Sequence, residues 1–426
     1  MSQGFAGYNI MDTAVSIKDS ANLDAFSRLR VSNPLILHNS QFTYDLAPII
    51  MEQITSATSG TAAVSHDATN RCALMTFTSA ATGAKAYMQS YEYLPYQPGR
   101  SQLIFVTFNM LSAVANVLKF AGYSDGVNGI EFQLDGTTKQ FTVYSGSSAG
   151  NETVVQSNWN LDKLDGTGAS GITLDITKTQ ILIIDIQALY VGRVRVGFDM
   201  GGQIVYAHEF KHANQVAYPY IQSANLPVRC GMTCTGTVST TMNFICSAVI
   251  SEGGTEDINV YGYTFSTSAS RVIASAGNSI QLLTLRPKTT FNSITNRSRV
   301  AYIDVEIYLD GNGAIKWELL VGQTITGGTW ADVNSSYSSS EVNPTNNGTA
   351  TATLSGSPLA VIDAGWVSSS AQTQSVTNTA VISRYPITLD AAGLQRTAGS
   401  LTLKITTINI TSSPVVYGAV KFREIR

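Results

Sequence analysis

Four sets of residues in this chain could do chemistry. His208-Glu209-Phe210-Lys211-His212 spells HExxH, in which two imidazoles hold zinc and the glutamate activates a bound water. Glu131 and Asp135, four residues apart with Gln133 between them, are the residue types of a glycoside hydrolase, which sets two carboxylates about 5 to 10 Å apart across a cleft. Tyr87, Tyr91, Tyr93 and Tyr96 cluster in AYMQSYEYLPYQPG, where rings beside amides suit the stacking and hydrogen bonding of a sugar. Asp162, Asp165 and the turn Asp125-Gly126-Val127-Asn128-Gly129 offer oxygens to calcium, but their spacing matches no EF-hand loop.

Each chemistry depends on the element that carries it. HExxH needs a helix, because 3.6 residues per turn brings the first and fifth side chains over one metal. Here the local pattern is that of strands. Val194, Val196, Phe198 and Met200 alternate with Arg193, Arg195 and Asp199. Gly201-Gly202 turns the chain, and 204–212 returns with the same period, so 193–211 reads as an antiparallel hairpin. On a strand His208 and His212 lie about 13 Å apart along the chain, at roughly 3.3 Å per residue. Two nitrogens on one zinc must lie within roughly 4 Å of each other, and Glu209 points to the opposite face, so the protease reading fails on geometry. Glu131 and Asp135 fit an exposed sheet face equally well. The tyrosines fit packing, a subunit contact or a possible glycan site.

Composition narrows the class. Charged residues make up 13% of 426, about half the usual share. A large chain so poor in charge buries surface against neighbours or presents uncharged polar faces, as long-lived assemblies do. A net charge of −3 gives no basic footprint, so no direct nucleic-acid contact is expected. The N-terminus lacks a secretory pattern and no apolar run approaches 18 residues, so no membrane insertion is expected. Cys72, Cys230, Cys234 and Cys246 read as free, buried thiols, and the C-x3-C pair sits on an expected strand where it cannot close around zinc. No catalytic residue, cofactor or metal site is expected, and the chain reads as a non-enzyme.

The fold expected is all-β. Residues 1–40 read as an extended arm with a short helix near Asn22 to Leu29, ended by Asn33-Pro34. Alternating runs every 8 to 14 residues over 41–252 predict a lectin-like jelly-roll β-sandwich. The break at Gly253-Gly254-Thr255-Glu256-Asp257 precedes a second, C-terminal β-sandwich over 258–426. Within it Asp310-Gly311-Asn312-Gly313 predicts a hairpin, and 334–350 and 368–377 read as Ser/Thr/Asn-rich loops.

Asp24-Ala25-Phe26-Ser27-Arg28-Leu29-Arg30-Val31-Ser32-Asn33-Pro34 resembles the DAFGRLRVSNP signature near the N-terminus of virion structural proteins of tailed bacteriophages, with Ser27 where glycine is usual. That departure weakens any claim that the site requires glycine geometry, without removing the match. Val191-Gly192-Arg193-Val194-Arg195-Val196-Gly197-Phe198, His212-Ala213-Asn214, Asn225-Leu226-Pro227-Val228-Arg229, Arg286-Pro287-Lys288-Thr289-Thr290-Phe291-Asn292 and Phe422-Arg423-Glu424-Ile425-Arg426 are similar to the same proteins. The resemblance implies a particle component, a tail, collar or fibre-type appendage subunit or else a capsid decoration protein, assembled in the host cytoplasm. Its partners would be further copies of itself, as a trimer or a higher ring, and other virion proteins, with a host-surface glycan as the alternative. In such a part Phe26, Leu29 and Val31 are expected to anchor the arm apolarly, and Arg28 and Arg30 to bind carboxylates or carbonyls of a neighbour.

Overall fold

The computed structural model describes residues 22–31, 33–187, 189–223, 225–253, 260–267, 271–272, 277–344, 352–368, 374–376, 385–410 and 415–426. Among them the regular structure is strand, apart from single 3₁₀ turns at Gln156–Asn158 and Thr397–Gly399. No helix among the described residues is long and apolar enough to cross a membrane. The expected all-β, jelly-roll and sandwich architecture is what the chain adopts.

The first sandwich opens with β1 (Leu35–Gln41), β2 (Met51–Ser56), β3 (Thr61–Asp67), β4 (Cys72–Ala80) and β5 (Lys85–Ser90). It continues through β6 (Ser101–Asn109), β7 (Val117–Ser124), β8 (Gly129–Asp135), β9 (Thr138–Tyr144) and β10 (Glu152–Val155). The last strands are β11 (Gln180–Gln187), β12 (Val194–Asp199), β13 (Ile204–Phe210), β14 (Val228–Cys234) and β15 (Val238–Ser251). One sheet runs β13-β12-β11-β6-β15-β4-β3, with β1 also on β15, and the other runs β10-β9-β8-β7-β14-β5-β2. Alternate residues of both sheets interdigitate, as in Phe108, Phe132, Phe141 and Phe198, whose rings meet at 5.1 to 6.1 Å. Lys119 is buried on the core side of β7. Its ammonium donates to the carbonyls of Met110, Ser112 and Thr241 at 2.6, 2.8 and 2.8 Å, and burial pushes it down to about 8.

β1 lies within the stretch expected to be an arm, so the sheet begins at Leu35. The helix expected near Asn22 to Leu29 is absent; Asp24 builds a tight loop there instead. The strands 51–56 and 61–67 were not legible, because neither alternates between apolar and polar residues.

The second sandwich holds β16 (Val260–Ser266), β17 (Ser279–Pro287), β18 (Arg299–Asp310), β19 (Gly313–Val321), β20 (Ser340–Pro344), β21 (Ala360–Ser368), β22 (Leu401–Ile410) and β23 (Val415–Ile425). One sheet is built on β16-β23-β18 and the other on β20-β17-β22-β19-β21. Trp317, Leu282, Leu403 and Phe422 sit between them. The turn at 310–313 joins β18 to β19 across the two sheets and is not a hairpin. The register gives the reason: β18 pairs with β23 and β19 with β22, so Asp310 lies opposite Val415 and Gly313 opposite Ile410. The expected boundary at 253–257 and the expected strand over 376–383 fall largely outside the described residues. β20 falls inside an expected loop, where its five residues include no alternating apolar run.

Candidate functional site

Among the described residues, the most elaborate polar construction is where Asn22 to Arg30 meets the first sandwich. Asp24 staples this segment to itself. Its Oδ1 accepts the backbone N–H groups of Phe26 and Arg28 at 2.9 and 2.8 Å, and its Oδ2 accepts Arg28 Nε at 2.7 Å. Asp24 N donates to Arg28 O, Ser27 N to Asp24 O and Arg30 N to Asn22 O, and Leu23 bridges Leu29. The result is a closed plug of nine residues. To close it, Ser27 adopts a φ of +63°, the left-handed conformation that glycine enters without a Cβ penalty. The glycine geometry that the serine had put in doubt is thus the one the backbone adopts.

The plug sits on the outer face of β11, β12 and β13. Asp185, the one charge in the apolar run Ile181 to Ile186, is fully buried and opposes Arg195 across β11 and β12. Its carboxylate accepts from Arg195 Nη2 at 2.5 Å, Arg30 Nη2 at 2.6 Å, Tyr206 Oη at 3.0 Å and, on the other oxygen, Ser101 Oγ at 2.8 Å. Arg30 Nε pairs with Glu252 at 2.9 Å. Arg195 also donates to Leu23 O at 2.7 Å, and Arg193 donates to Ala25 O at 2.9 Å while pairing with Glu209 at 3.4 Å. The polar face of the hairpin is thus covered in part, with Arg195 beneath the plug, while its apolar face lies buried against the opposite sheet. Eight charged residues gather here (Asp24, Arg28, Arg30, Asp185, Arg193, Arg195, Glu209 and Glu252) in a chain with 26 basic and 29 acidic residues.

Several expected roles change. The apolar contacts of the plug are made by Leu23 and Ala25, 6% and 2% exposed, whereas Leu29 and Val31 are 52% and 86% exposed and Phe26 is half-buried beneath the Arg28 guanidinium. Arg28 and Arg30 find carboxylates within their own chain. Asp185 and Glu252 were not singled out by sequence reasoning. The signal for Asp185 was there: a carboxylate in the middle of a strand of isoleucines must have a buried cation beside it.

The HExxH residues lie on β13 and its exit, as the hairpin requires. Val196 opposes His208, Arg195 opposes Glu209 and Val194 opposes Phe210. Phe210 stands between the two histidines, its ring centroid 4.5 Å from His208 and 6.4 Å from His212, and His212 stacks on Tyr220 at 3.9 Å. His208 Nδ1 accepts from Asn160 N, His212 Nδ1 contacts Gly192 O, and burial holds the His208 imidazole below its usual range. No group of three or more His, Cys, Asp or Glu among the described residues is placed to hold a metal ion. A Cβ at Gly192 or Gly197 would meet Gln187 O at 1.9 Å or Val205 O at 2.2 Å, so both glycines of the Val191 to Phe198 stretch serve close backbone approach.

The tyrosine cluster does not form an open platform for sugar. Tyr93 and Tyr96 are 7% and 8% exposed. Tyr96 packs on Tyr190 at 5.5 Å, and Tyr87 packs on Phe120 at 5.7 Å. Tyr91 and Tyr93 are capped by arginines of the second sandwich, Arg396 at 3.2 Å and Arg297 at 4.1 Å from the ring centroids, while Arg299 pairs with the intervening Glu92. Glu52 accepts Ala391 N at 2.9 Å, and burial pushes its carboxyl above the usual range. These residues form the seam between the two sandwiches. A shallow cavity of about 370 Å³ opens beside it, lined by Asp45, Ala47, Pro48, Ile49, Ile50 and Tyr385.

The two carboxylates of β8 part company. Glu131 is fully buried, pairing with Arg229 Nε at 2.6 Å and accepting from Gln133 Nε2 at 2.9 Å, whereas Asp135 is exposed at the strand end. Arg229 lies over Phe120 at 4.6 Å and fills the space above the sheet. All four cysteines are free, Cys72, Cys230 and Cys234 fully buried, and burial pushes the Cys230 thiol well up.

No family model matches the chain, and no curated protein does. Among solved structures it is similar to an endo-1,3-beta-glucanase from Streptomyces sioyaensis, with 12% identity over 52% of this chain and 97% of that one and a TM-score of 0.37. It is also similar to a Bacillus licheniformis beta-glucanase, with 13% identity over 51% and 98% and a TM-score of 0.32. A third is a carbohydrate esterase from Shiga toxin-encoding bacteriophage phi24B, with 12% identity over 51% and 99% and a TM-score of 0.31. The likeness is one of sheet architecture. The reading of the chain as a non-enzyme is corrected by the same finding, since several of these structures are named as glycoside hydrolases, and that reading is dropped.

Proposed function

We propose that this chain is a structural component of a tailed-bacteriophage particle, a tail, collar or fibre-type appendage subunit that works as a homo-oligomer. One observation carries the reading. The two longest stretches that resemble phage virion proteins, Asp24 to Pro34 and Val191 to Phe198, are 168 residues apart at Ala25 and Arg193, yet they form one plug and its socket. Ser27 takes the conformation that the usual glycine would take, Arg28 and Asp24 close the loop, and Arg30 reaches the carboxylate that Arg195 also holds. The residues that carry the resemblance thus share a physical task, which chance matches scattered along a chain would not do. The sparse charge supports the same reading, because a chain with 13% charged residues is suited to a particle of many copies.

The test is deletion of residues 1–34, which ends one residue before β1 and removes nothing from either core cluster. Supplied in place of the full chain during particle assembly, the truncated chain is expected to fold and to be missing from purified particles. Incorporation at the level of the full chain would overturn the reading.

A further inference from the structure

We propose that the plug, Asn22 to Arg30, seats in the socket of a second copy of this chain, so that copies are joined by exchanged arms. This inference rests on the assembly reading above and names the contact through which assembly runs.

The construction of the plug carries it. Its shape is held by its own bonds, from Asp24 to Phe26 and Arg28, from Arg30 N to Asn22 O, and by the Leu23 to Leu29 bridge. A segment closed by bonds of its own loses less conformational freedom on docking than an open chain would, which lowers the cost of exchange between copies. It also stands apart from the core, as neither Leu23 nor Ala25 belongs to the hydrophobic cluster of the first sandwich. What holds it is complementary charge: Asp185 and Glu252 of the body for Arg30, and Arg193 and Arg195 for the carbonyls of Ala25 and Leu23. Those bonds are the same whichever copy supplies the plug.

The hinge bears on which copy supplies the plug. Between Arg30 and β1 the chain carries Asn33-Pro34, and a residue before proline is driven to extended backbone, so the connection is a stiff, extended one. Around the hinge Leu29, Val31, Leu35 and Ile36 are 52%, 86%, 39% and 56% exposed. With the plug in its own socket these apolar side chains face water. Where two hinges cross, as exchange requires, they can cover each other.

The experiment uses full-length chains. Ala25 N lies 3.3 Å from Ser101 Oγ, so thiols at 25 and 101 come within reach of a disulfide when plug meets socket. An Ala25→Cys chain and a differently tagged Ser101→Cys chain are co-expressed, oxidised and run without reductant. Exchange predicts a disulfide-linked species carrying both tags. If the doubly substituted chain closes the bond within itself while the mixture gives no linked species, the proposal is overturned. Should either variant misfold, native mass gives a second reading. The unmodified chain is expected at a multiple of 45.5 kDa, and Arg30→Ala at 45.5 kDa. An unmodified chain at 45.5 kDa, or a multimer that Arg30→Ala leaves intact, overturns it. Both readings use purified protein without particles, so they can fail while the deletion test of particle entry succeeds, and the reverse.

Discussion

The plug socket and the seam between the sandwiches both fix arginines against the first sandwich, and they do so by different means. In the socket Asp185 is withdrawn from water and takes donors from Arg30, Arg195, Tyr206 and Ser101, so the guanidinium charge is met by charge. In the seam one arginine, Arg299, is paired with Glu92, but Arg297 and Arg396 cap Tyr93 and Tyr91, and there the charge is met by the negative face of a ring. A desolvated ion pair is all or nothing, because losing one partner strands the other. A capped ring is forgiving, because a guanidinium left without its ring can turn to water. The socket is therefore the place where the chain specifies one arrangement, and the seam is where it joins two bodies with several contacts of modest strength.

The largest effect should come from breaking the socket at its centre. Asp185→Ala leaves Arg195, which is 1% exposed, without its buried carboxylate, and is expected to cost about 3 to 5 kcal/mol in chemical denaturation. A loss below about 1 kcal/mol would mean that the cluster is wetter than its geometry implies. The seam should respond less. Arg396→Ala removes the guanidinium from Tyr91 and is expected to cost about 0.5 to 2 kcal/mol, read as earlier unfolding of the second sandwich with the first unchanged. A cost as large as that of Asp185→Ala would erase the contrast drawn here. The smallest effect refines the plug itself. Ser27→Gly relieves a φ of +63° and should stabilise the docked plug by about 1 kcal/mol, seen as slower proteolysis at the arm. Faster cleavage would show that the serine side chain serves the fold in a way its backbone angle does not reveal.

Much of the architecture was legible because strand alternation is a local property. Val194, Val196 and Phe198 belong to the core, Gly201 and Gly202 have φ of 70° and 89° at the tip of the hairpin, and His208 and His212 sit where a strand puts them. The boundaries of 101–109, 129–135 and 228–234 follow the same rule. Where the period was absent, as in 51–56 and 340–344, strands formed because neighbours already in the sheet offered an unpaired edge, and that is not a local property.

The sites divide along the same line. By itself the sequence determined that His208 to Phe210 lies on the second arm of a hairpin and that Val194, Val196 and Phe198 share one face, since period is set within a few residues. Only the tertiary structure decided which face of each strand is dry. It made the arginines at 193 and 195 the floor of a socket, chose packing over a glycan site for the tyrosines of 87–96 and set Tyr91 and Tyr93 in a seam, and turned Glu131 from an exposed carboxylate into a buried ion pair. The reason is physical: burial depends on what the chain brings back from a distance, and a plug 168 residues away in sequence leaves no mark on the period of the strand it covers.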